Sequence, residues 1–189
     1  DLFFLTNKIF KSIVVTGTNG KSTTCSIIHK VLSNSGINSE LLGNIGKPIL
    51  NYNLGKKKNV VLVIEMSSFQ LEYSKYIRPN HAIFLNFTKD HLDWHGNMNN
   101  YIKSKLKIFS LQNKNDFAYL PKDKYVIKRF KKNNFRSSVI LNKRKTYNIL
   151  KKNILNPYLS SKSNLENLSF IYDLKNNFKI SDKGFFSIL

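Results

Sequence analysis

Cysteine is almost absent from this 189-residue chain, which contains only Cys25. A single thiol cannot form the disulfide framework that stabilises small secreted domains, and this agrees with a reducing compartment. Long apolar runs are also missing. The longest covers residues 60–64, whereas a membrane-spanning helix needs about 20 apolar residues. We therefore expect a cytoplasmic protein that makes no contact with membranes.

Acidic residues are scarce too, with 11 Asp and Glu against 31 Lys and Arg, which gives a formal net charge of +20. The excess is concentrated in residues 122–152, where Asp123 is the only acidic residue. Such a segment could bind a polyanion. Because its lysines are scattered among Asn and Ile without a nucleic-acid-binding motif, we expect a solvated basic face and no nucleic-acid partner.

Apolar runs alternate with helical patterns along the chain, which is typical of parallel strands joined by crossover helices. Strands are predicted at 12–16, 37–41, 60–65, 81–85 and 117–120. Helices are predicted at 22–35, 70–76, 99–110 and 164–174, and Gly36 ends the first of them. The interval 121–163 carries short apolar runs between basic clusters and is left unassigned. We expect an α/β domain with a mostly parallel sheet flanked by helices, of the P-loop mononucleotide-binding type.

Residues 14–23, Val-Val-Thr-Gly-Thr-Asn-Gly-Lys-Ser-Thr, predict a phosphate-binding loop between a strand and a helix. Glycines let backbone N–H groups face a polyphosphate at the start of a helix. Lys21 would reach the terminal phosphates and the Ser22 hydroxyl would hold Mg²⁺. The glycines stand closer together than in the generic P-loop, so an ordinary strand–turn–helix corner is the alternative. The candidate nucleotide-binding residues are Gly17, Thr18, Asn19, Gly20, Lys21, Ser22 and Thr23.

Polar residues follow three further predicted strands, at 43–46, 65–70 and 86–93, where ligands of parallel sheets collect. Glu65 ends the most apolar strand, where a carboxylate is costly unless it is paired or binds a metal. A Mg²⁺ near Ser22 would satisfy it, and the alternative is a solvated or helix-capping Glu. His91 could ligate a metal or relay a proton, but a loop histidine alone is more often just exposed.

These motifs together resemble the Mur ligase family, the ATP-dependent enzymes that join amino acids to the peptidoglycan precursor. The segment 16–23 is similar to that family's shortened P-loop. Residues 86–93, followed by Tyr101 and Lys105, resemble its Asn-x-x-x-Asp-His-Leu-Asp…Tyr-x-x-x-Lys segment. Residues 43–46 and 65–72 resemble the branch of the family that adds D-glutamate.

The resemblance implies that ATP phosphorylates the carboxylate of UDP-N-acetylmuramoyl-L-alanine and that D-glutamate then attacks the acyl phosphate. It implies ATP and two Mg²⁺ ions as cofactors. Lys21 would stabilise the transferring phosphate, Ser22 and Glu65 would hold one Mg²⁺, and His91 would serve the second. Lys105 matches a lysine that the family carbamoylates, which would make it an anionic metal ligand. Considered by itself, it is an ordinary solvent-facing helix lysine.

By the same resemblance, Asn44, Ser67 and Gln70 match positions that contact the muramoyl substrate. Turn and cap chemistry is the alternative for Asn44 and Ser67. Asn164 and Asn167 match family asparagines near the adenine, although Ser163 replaces the usual histidine of that motif.

Residues 1–189 would then be the central ATP-binding domain of a monomeric enzyme, with a UDP-binding domain before it and an amino-acid-binding domain after it. The isolated chain would not complete ligation. Another Mur-type or folylpolyglutamate-type amide ligase is one alternative function. A basic nucleic-acid-binding module or a non-catalytic P-loop module is the other.

Overall fold

Six parallel strands form the central sheet of the computed structural model, which describes residues 1–6, 11–52 and 59–189. The strands are β1 Lys11–Thr16, β2 Ser39–Gly43, β3 Val61–Glu65, β4 His81–Phe84, β5 Phe117–Leu120 and β6 Ser138–Leu141. Their order is β2-β3-β1-β4-β5-β6, and every neighbouring pair is parallel. The predicted α/β class with its mostly parallel sheet is confirmed.

Helices connect the strands and cover both faces of the sheet. In the described residues they are α1 Leu2–Thr6, α2 Lys21–Asn34, α3 Ser68–Tyr73, α4 Leu92–His95, α5 Met98–Leu106, α6 Lys124–Lys132, α7 Arg144–Asn153, α8 Lys162–Leu174 and α9 Asp182–Phe186. Short 3-10 helices lie at Ile49–Asn51, Lys107–Phe109 and Lys175–Phe178. None of the helices in the described ranges combines the length and apolarity that crossing a bilayer requires.

The core has two layers because successive residues of a strand point to opposite faces. Ile13 and Val15 of β1 join a cluster that includes residues of α2 and α8, whereas Val14 joins the cluster that includes residues of α3 and α5. All five residues of β3 are buried. This explains why that strand is apolar up to Glu65, since a strand covered on both faces has no solvent side.

The strand order brings the polar segments together. β2, β3, β1 and β4 are adjacent, and parallel strands end at the same edge of a sheet. The segments that follow them are 43–46, 65–70, 17–23 and 86–93. One edge of the sheet therefore carries all four candidate motifs.

Two expectations about secondary structure need correction. β2 begins at Ser39, because the N–H of Ile37 still bonds the carbonyl oxygen of Leu32 and so belongs to the end of α2. The unassigned interval contains α6, β6 and α7. β6 lies at the edge of the sheet with Val139 47% exposed, and its short apolar run at 139–141 is only partly buried, so it resembles the other short apolar runs of this interval. Gly36 ends α2 as predicted, at φ 75°.

Candidate functional site

The loop at 17–23 is shaped by glycine. Gly20 has φ 80°, and a Cβ there would lie 2.2 Å from Nδ2 of Asn167. A Cβ on Gly17 would lie 2.9 Å from Cβ of Leu85. Neither position accepts a side chain without displacing a neighbour, so α8 and the end of β4 hold the backbone of the loop in place.

The start of α2 lies at the candidate phosphate loop and carries backbone N–H donors. Gly20 is the N-cap residue and provides no side-chain cap, and the first N–H groups of a helix have no partner within the helix. Lys21 folds back so that Nζ donates to the carbonyl oxygen of Thr18 at 2.8 Å. Ser22 is exposed at the second position of α2. This arrangement can accept a polyphosphate.

Asn86 braces the loop. Its Oδ1 accepts from the N–H of Asn19 at 2.8 Å, and its Nδ2 donates to the carbonyl oxygen of Asn19 at 2.9 Å and to Oδ1 of Asn167 at 3.3 Å. The N–H of Thr18 donates to the backbone oxygen of Asn86. One amide thus ties the segment after β4 to the loop and to α8, a role that the sequence motif did not reveal.

Glu65 lies at the end of β3 with 1% of its surface exposed. Asn44 donates from Nδ2 to Oε1 at 3.2 Å, while Oε2 is buried and has no hydrogen-bond partner among the described residues. A buried carboxylate oxygen left unpaired costs free energy. The hydroxyl oxygen of Thr16, at the end of the neighbouring β1, is also buried and finds no partner in the part of the chain that the structure describes. These oxygens are the kind of ligand that Mg²⁺ prefers.

Lys105 is buried in α5, with 1% of its surface exposed. Its Nζ donates to the carbonyl oxygen of Gly17 at 2.8 Å and lies 4.7 Å from the centre of the Tyr101 ring. Burial, followed by the charge of Lys21, lowers its pKa from 10.5 to about 7, against the opposing effect of Asp90. A large fraction of this amine is therefore neutral at physiological pH.

His91 lies in the loop before α4, in the left-handed conformation at φ 48°. It is exposed, and its Nε2 lies 3.3 Å from Oδ2 of Asp90. The ring is 4.9 Å from the Phe69 ring and meets the Tyr101 ring edge-on at 6.2 Å. Tyr101 also contacts Lys105, so one tyrosine links the two sequence-predicted residues.

His95 is a buried residue of this region that sequence reasoning missed. Its Nε2 contacts the Ser68 hydroxyl at 3.0 Å, and its Nδ1 lies 3.3 Å from Oε2 of Glu72. Its ring stacks on Phe69 and packs against Tyr101. Burial lowers its pKa, against the opposing effect of Glu72. The only signal in the sequence was a second histidine one helical turn after His91.

Ser67 and Gln70 form a capping box at the start of α3. The N–H of Gln70 donates to the Ser67 hydroxyl at 3.3 Å, and the N–H of Ser67 donates to Oε1 of Gln70 at 2.8 Å. The cap chemistry considered for Ser67 is thus present in the structure. Asn44 contacts Glu65 instead, which puts it beside the candidate metal ligand.

The two asparagines of α8 lie at different places. Asn167 is buried against Gly20 and Asn86 and so belongs to the loop. Asn164 donates from Nδ2 to the carbonyl oxygen of Tyr158 at 2.7 Å. Tyr158 lies in the segment just before α8. It also lines a narrow crevice with Thr23 and Asn167.

The residues fit a nucleotide-bound metal better than a metal held by protein alone. No three His, Cys, Asp or Glu side chains of the described ranges cluster closely enough to hold an ion. A Mg²⁺ near Glu65 would therefore need oxygen ligands from phosphate, hydroxyl groups or water. Mg²⁺ is usually bound in this way, by one or two carboxylates together with substrate phosphates.

The parallel sheet, the glycine loop after β1 and the uncapped start of α2 define a mononucleotide-binding α/β domain of the P-loop type. The sequence pattern of the Mur ligase middle domain matches residues 15–181. The chain belongs to the Mur ligase middle domain family.

Curated relatives are similar over part of the chain. A protein of Rickettsia prowazekii (strain Madrid E) named UDP-N-acetylmuramoylalanine--D-glutamate ligase is 44% identical over 120 residues, which is 64% of this chain and 26% of that protein. One of the same name from Thermosipho melanesiensis is 48% identical over 124 residues, 64% of this chain and 28% of that protein. The chain thus matches about a quarter of the length of these relatives.

Solved structures share the fold. MurF from Acinetobacter baumannii aligns with a TM-score of 0.68 at 15% identity, over 99% of this chain and 47% of that one. MurF from Thermotoga maritima in complex with ADP aligns with a TM-score of 0.56 at 22% identity, over 73% of this chain and 34% of that one.

Proposed function

We propose that this chain is the ATP-binding domain of a ligase that adds D-glutamate to UDP-N-acetylmuramoyl-L-alanine in peptidoglycan precursor synthesis. The name shared by relatives at 44% and 48% identity supports this substrate pair. The segments at 43–46 and 65–72 resemble the D-glutamate-adding branch, and they meet where Asn44 of the first donates to Glu65 of the second. Residues 1–189 are the central domain in this proposal, and further domains bind the UDP moiety and the amino acid.

The single observation that carries the proposal is the meeting of three groups at one sheet edge. The phosphate loop follows β1, Glu65 ends the adjacent β3, and the buried amine of Lys105 bonds the loop at Gly17. A free carboxylate is a poor electrophile and must be activated before an amine can attack it. Phosphoryl transfer between two anions needs positioning and positive charge more than covalent help. The loop and Lys21 supply both.

The proposed mechanism gives each residue one task. Residues 17–23 bind the phosphates of ATP, and Lys21 leaves the Thr18 oxygen to contact the phosphate being transferred. The carboxylate of the muramoyl substrate, oriented by Asn44, Ser67 and Gln70, attacks that phosphate to give an acyl phosphate and ADP. The amine of D-glutamate then attacks the acyl carbon to give a tetrahedral intermediate, and the nitrogen loses a proton to solvent. The intermediate collapses as the C–O bond to phosphate breaks, and inorganic phosphate leaves.

Magnesium completes the site in this proposal, with ATP as the other cofactor. Ser22 and Glu65 would hold one ion. This assignment is supported by the buried Oε2 of Glu65, which has no hydrogen-bond partner among the described residues. His91 and Lys105 would serve a second ion. When bound, the ions would neutralise phosphate charge at the reacting groups.

Lys105 would become a metal ligand by carbamoylation. Its ammonium form first releases one proton to solvent, and the neutral amine then attacks the carbon of CO₂. An N–C bond forms as one C=O π bond opens onto oxygen, and the nitrogen releases a second proton to solvent, which leaves an anion with two oxygen acceptors. The lowered pKa supports this step because only the neutral amine is nucleophilic. No carboxylate in the described part of the chain forms an ion pair with Lys105 that would hold it as an ammonium.

We propose that the enzyme acts in the cytoplasm as a monomer, without a nucleic-acid partner. The activity is tested with the full-length polypeptide, UDP-N-acetylmuramoyl-L-alanine and Mg-ATP. ADP release is measured with D-glutamate, L-alanine, L-lysine, diaminopimelate or D-alanyl-D-alanine as acceptor. D-glutamate should be the acceptor that supports ADP release and amide formation. Turnover with another acceptor and none with D-glutamate would contradict the assignment.

A further inference from the structure

A cavity of about 810 Å³ opens at the carboxyl ends of β4, β5 and β6. Its walls include none of residues 17–23, so it is separate from the phosphate loop, although Asn86 and Thr88 border both. The volume is in the range of small-molecule sites, roughly 300 to 1,000 Å³. No step of the proposed ligation uses this cavity.

One part of the lining is apolar. Leu85 and Pro121 are buried in the wall, and the half-buried rings of Phe87 and Tyr147 also line the cavity. Phe87 is kept in position by the Tyr125 ring, which stacks on it with centres 5.8 Å apart. Aromatic walls of this kind can pack against a flat ring of a ligand.

The other part of the lining is cationic, with Lys122, Lys143, Arg144 and Lys162. None of these four forms an ion pair with a carboxylate in the described ranges. Two acids also line the cavity. Asp123 caps α6, because its Oδ1 accepts hydrogen bonds from N–H groups at the start of that helix. Glu166 is exposed. The fold therefore gathers cations of the 122–152 segment, together with Lys162, around one cavity.

Two helices begin beside these cations. Lys143 is the N-cap residue of α7, Lys162 is the first residue of α8, and neither helix has a side-chain cap. The partial positive charge of both helix starts adds to that of the four side chains. Concentrated, unpaired positive charge beside an aromatic wall suits a ligand with a phosphate at one end and a ring at the other.

We propose that this cavity binds a phosphorylated small molecule of the nucleoside diphosphate class, at a site distinct from the phosphate loop. The phosphates lie against Lys143, Arg144 and Lys162, and the ring lies against Phe87 and Tyr147. The proposal goes beyond the ligase assignment and does not depend on it. Asn86 borders both sites, so a ligand in the cavity lies next to a residue that holds the loop by hydrogen bonds.

The test uses full-length protein carrying Lys21→Ala, which disables the loop, and isothermal titration with ADP or inorganic pyrophosphate in magnesium-free buffer. One equivalent of ADP should still bind, more tightly than pyrophosphate because of the ring contact. Adding Lys143→Ala and Arg144→Ala should weaken ADP binding about tenfold or more, equivalent to at least about 1.4 kcal/mol. The control adds Lys131→Ala and Lys132→Ala, two exposed residues outside the cavity with the same total charge, and should change the affinity less than about twofold.

Three results would overturn the proposal. In the first, the Lys21→Ala protein binds no ADP. In the second, the control variant loses as much ADP affinity as the cavity variant. In the third, an oligo-aspartate peptide binds more tightly than ADP, which indicates a protein partner. Failure of the proposed function looks different. If the loop binds no nucleotide, wild-type protein binds ADP with a stoichiometry and affinity that Lys21→Ala leaves unchanged, and if the acceptor is wrong, D-glutamate gives no ADP release while binding to the cavity persists.

Discussion

The ammonium nitrogen of Lys105 lies 2.8 Å from the carbonyl oxygen of Gly17, and this buried hydrogen bond joins α5 to the first residue of the phosphate loop. The side chain comes from 88 residues away in sequence. A change in the charge of Lys105 therefore alters a hydrogen bond to the loop. The position of the loop in turn helps to bury the amine.

Gly20→Ala should destabilise the protein and weaken ADP binding. Gly36→Ala is the matched control, since φ is 80° at Gly20 and 75° at Gly36 but a Cβ on Gly36 meets nothing within 4 Å. The left-handed backbone alone costs about 1–2 kcal/mol, so urea unfolding should give that loss for Gly36→Ala and a larger one for Gly20→Ala. Adding Asn167→Ala should recover part of the difference, because the clash is with that side chain. Equal losses for the two glycines would contradict the close approach.

Asn86→Ala should weaken nucleotide binding through the shape of the loop. The change removes two hydrogen bonds to the backbone of Asn19. Because Asn19 is exposed and water can replace the lost partner, each bond should contribute only about 0.5–1.5 kcal/mol. We expect a lower free energy of unfolding and a weaker ADP affinity in calorimetry. Asn148→Ala, an exposed asparagine of α7, serves as the control and should leave both quantities within error. Unchanged ADP affinity in Asn86→Ala would show that the loop holds its shape without the brace.

Glu65→Gln should separate metal binding from folding. The amide has nearly the same shape as the carboxylate but a much weaker affinity for Mg²⁺, and it removes a buried charge whose Oε2 has no partner. Without Mg²⁺, the melting temperature should stay the same or rise. Mg²⁺ should raise the ADP affinity of the wild type, and this increase should be absent from the variant. A variant whose ADP affinity still responds to Mg²⁺ as wild type does would rule out Glu65 as a ligand.

Lys105 should make stability depend on pH. Its pKa is about 7 in the folded protein and 10.5 when unperturbed, so between these values the unfolded chain holds more protons and stability rises with pH. In CO₂-free buffer, the free energy of unfolding should increase by about 2 kcal/mol from pH 7 to pH 9. Lys105→Met should remove that increase, whereas Lys103→Met, an exposed neighbour on α5, should retain it. If both variants keep the increase, the amine is not desolvated as described.

The sequence was sufficient to predict the sheet, the loop and the strand-end motifs because those signals are local. β3 is apolar along its length, and the residues of the loop are contiguous. β6 and α7 escaped prediction because β6 is a half-exposed edge strand and α7 is a basic helix with few buried residues, Thr146 and Leu150.

The tertiary details of the site could not be read from the sequence. Lys103 and Lys105 are both helix lysines two residues apart, yet Lys103 is exposed and Lys105 is buried beneath the loop. The family motif singles out Lys105, but its burial and its bond to Gly17 follow only from the packing of α5 against the rest of the site. The same holds for Asn86 and His95, whose partners come from separate segments of the chain.

The most direct test compares ligation rates of the full-length protein with D-glutamate, measured as ADP release coupled to amide formation. Lys21→Met, Glu65→Gln and Lys105→Met should each lower kcat by about 100-fold or more, the size seen when one electrostatic group of an active site is removed. Lys103→Met should stay within about twofold of wild type. If Lys105→Met behaves like Lys103→Met, the loop, the buried carboxylate and the buried lysine do not form one catalytic site.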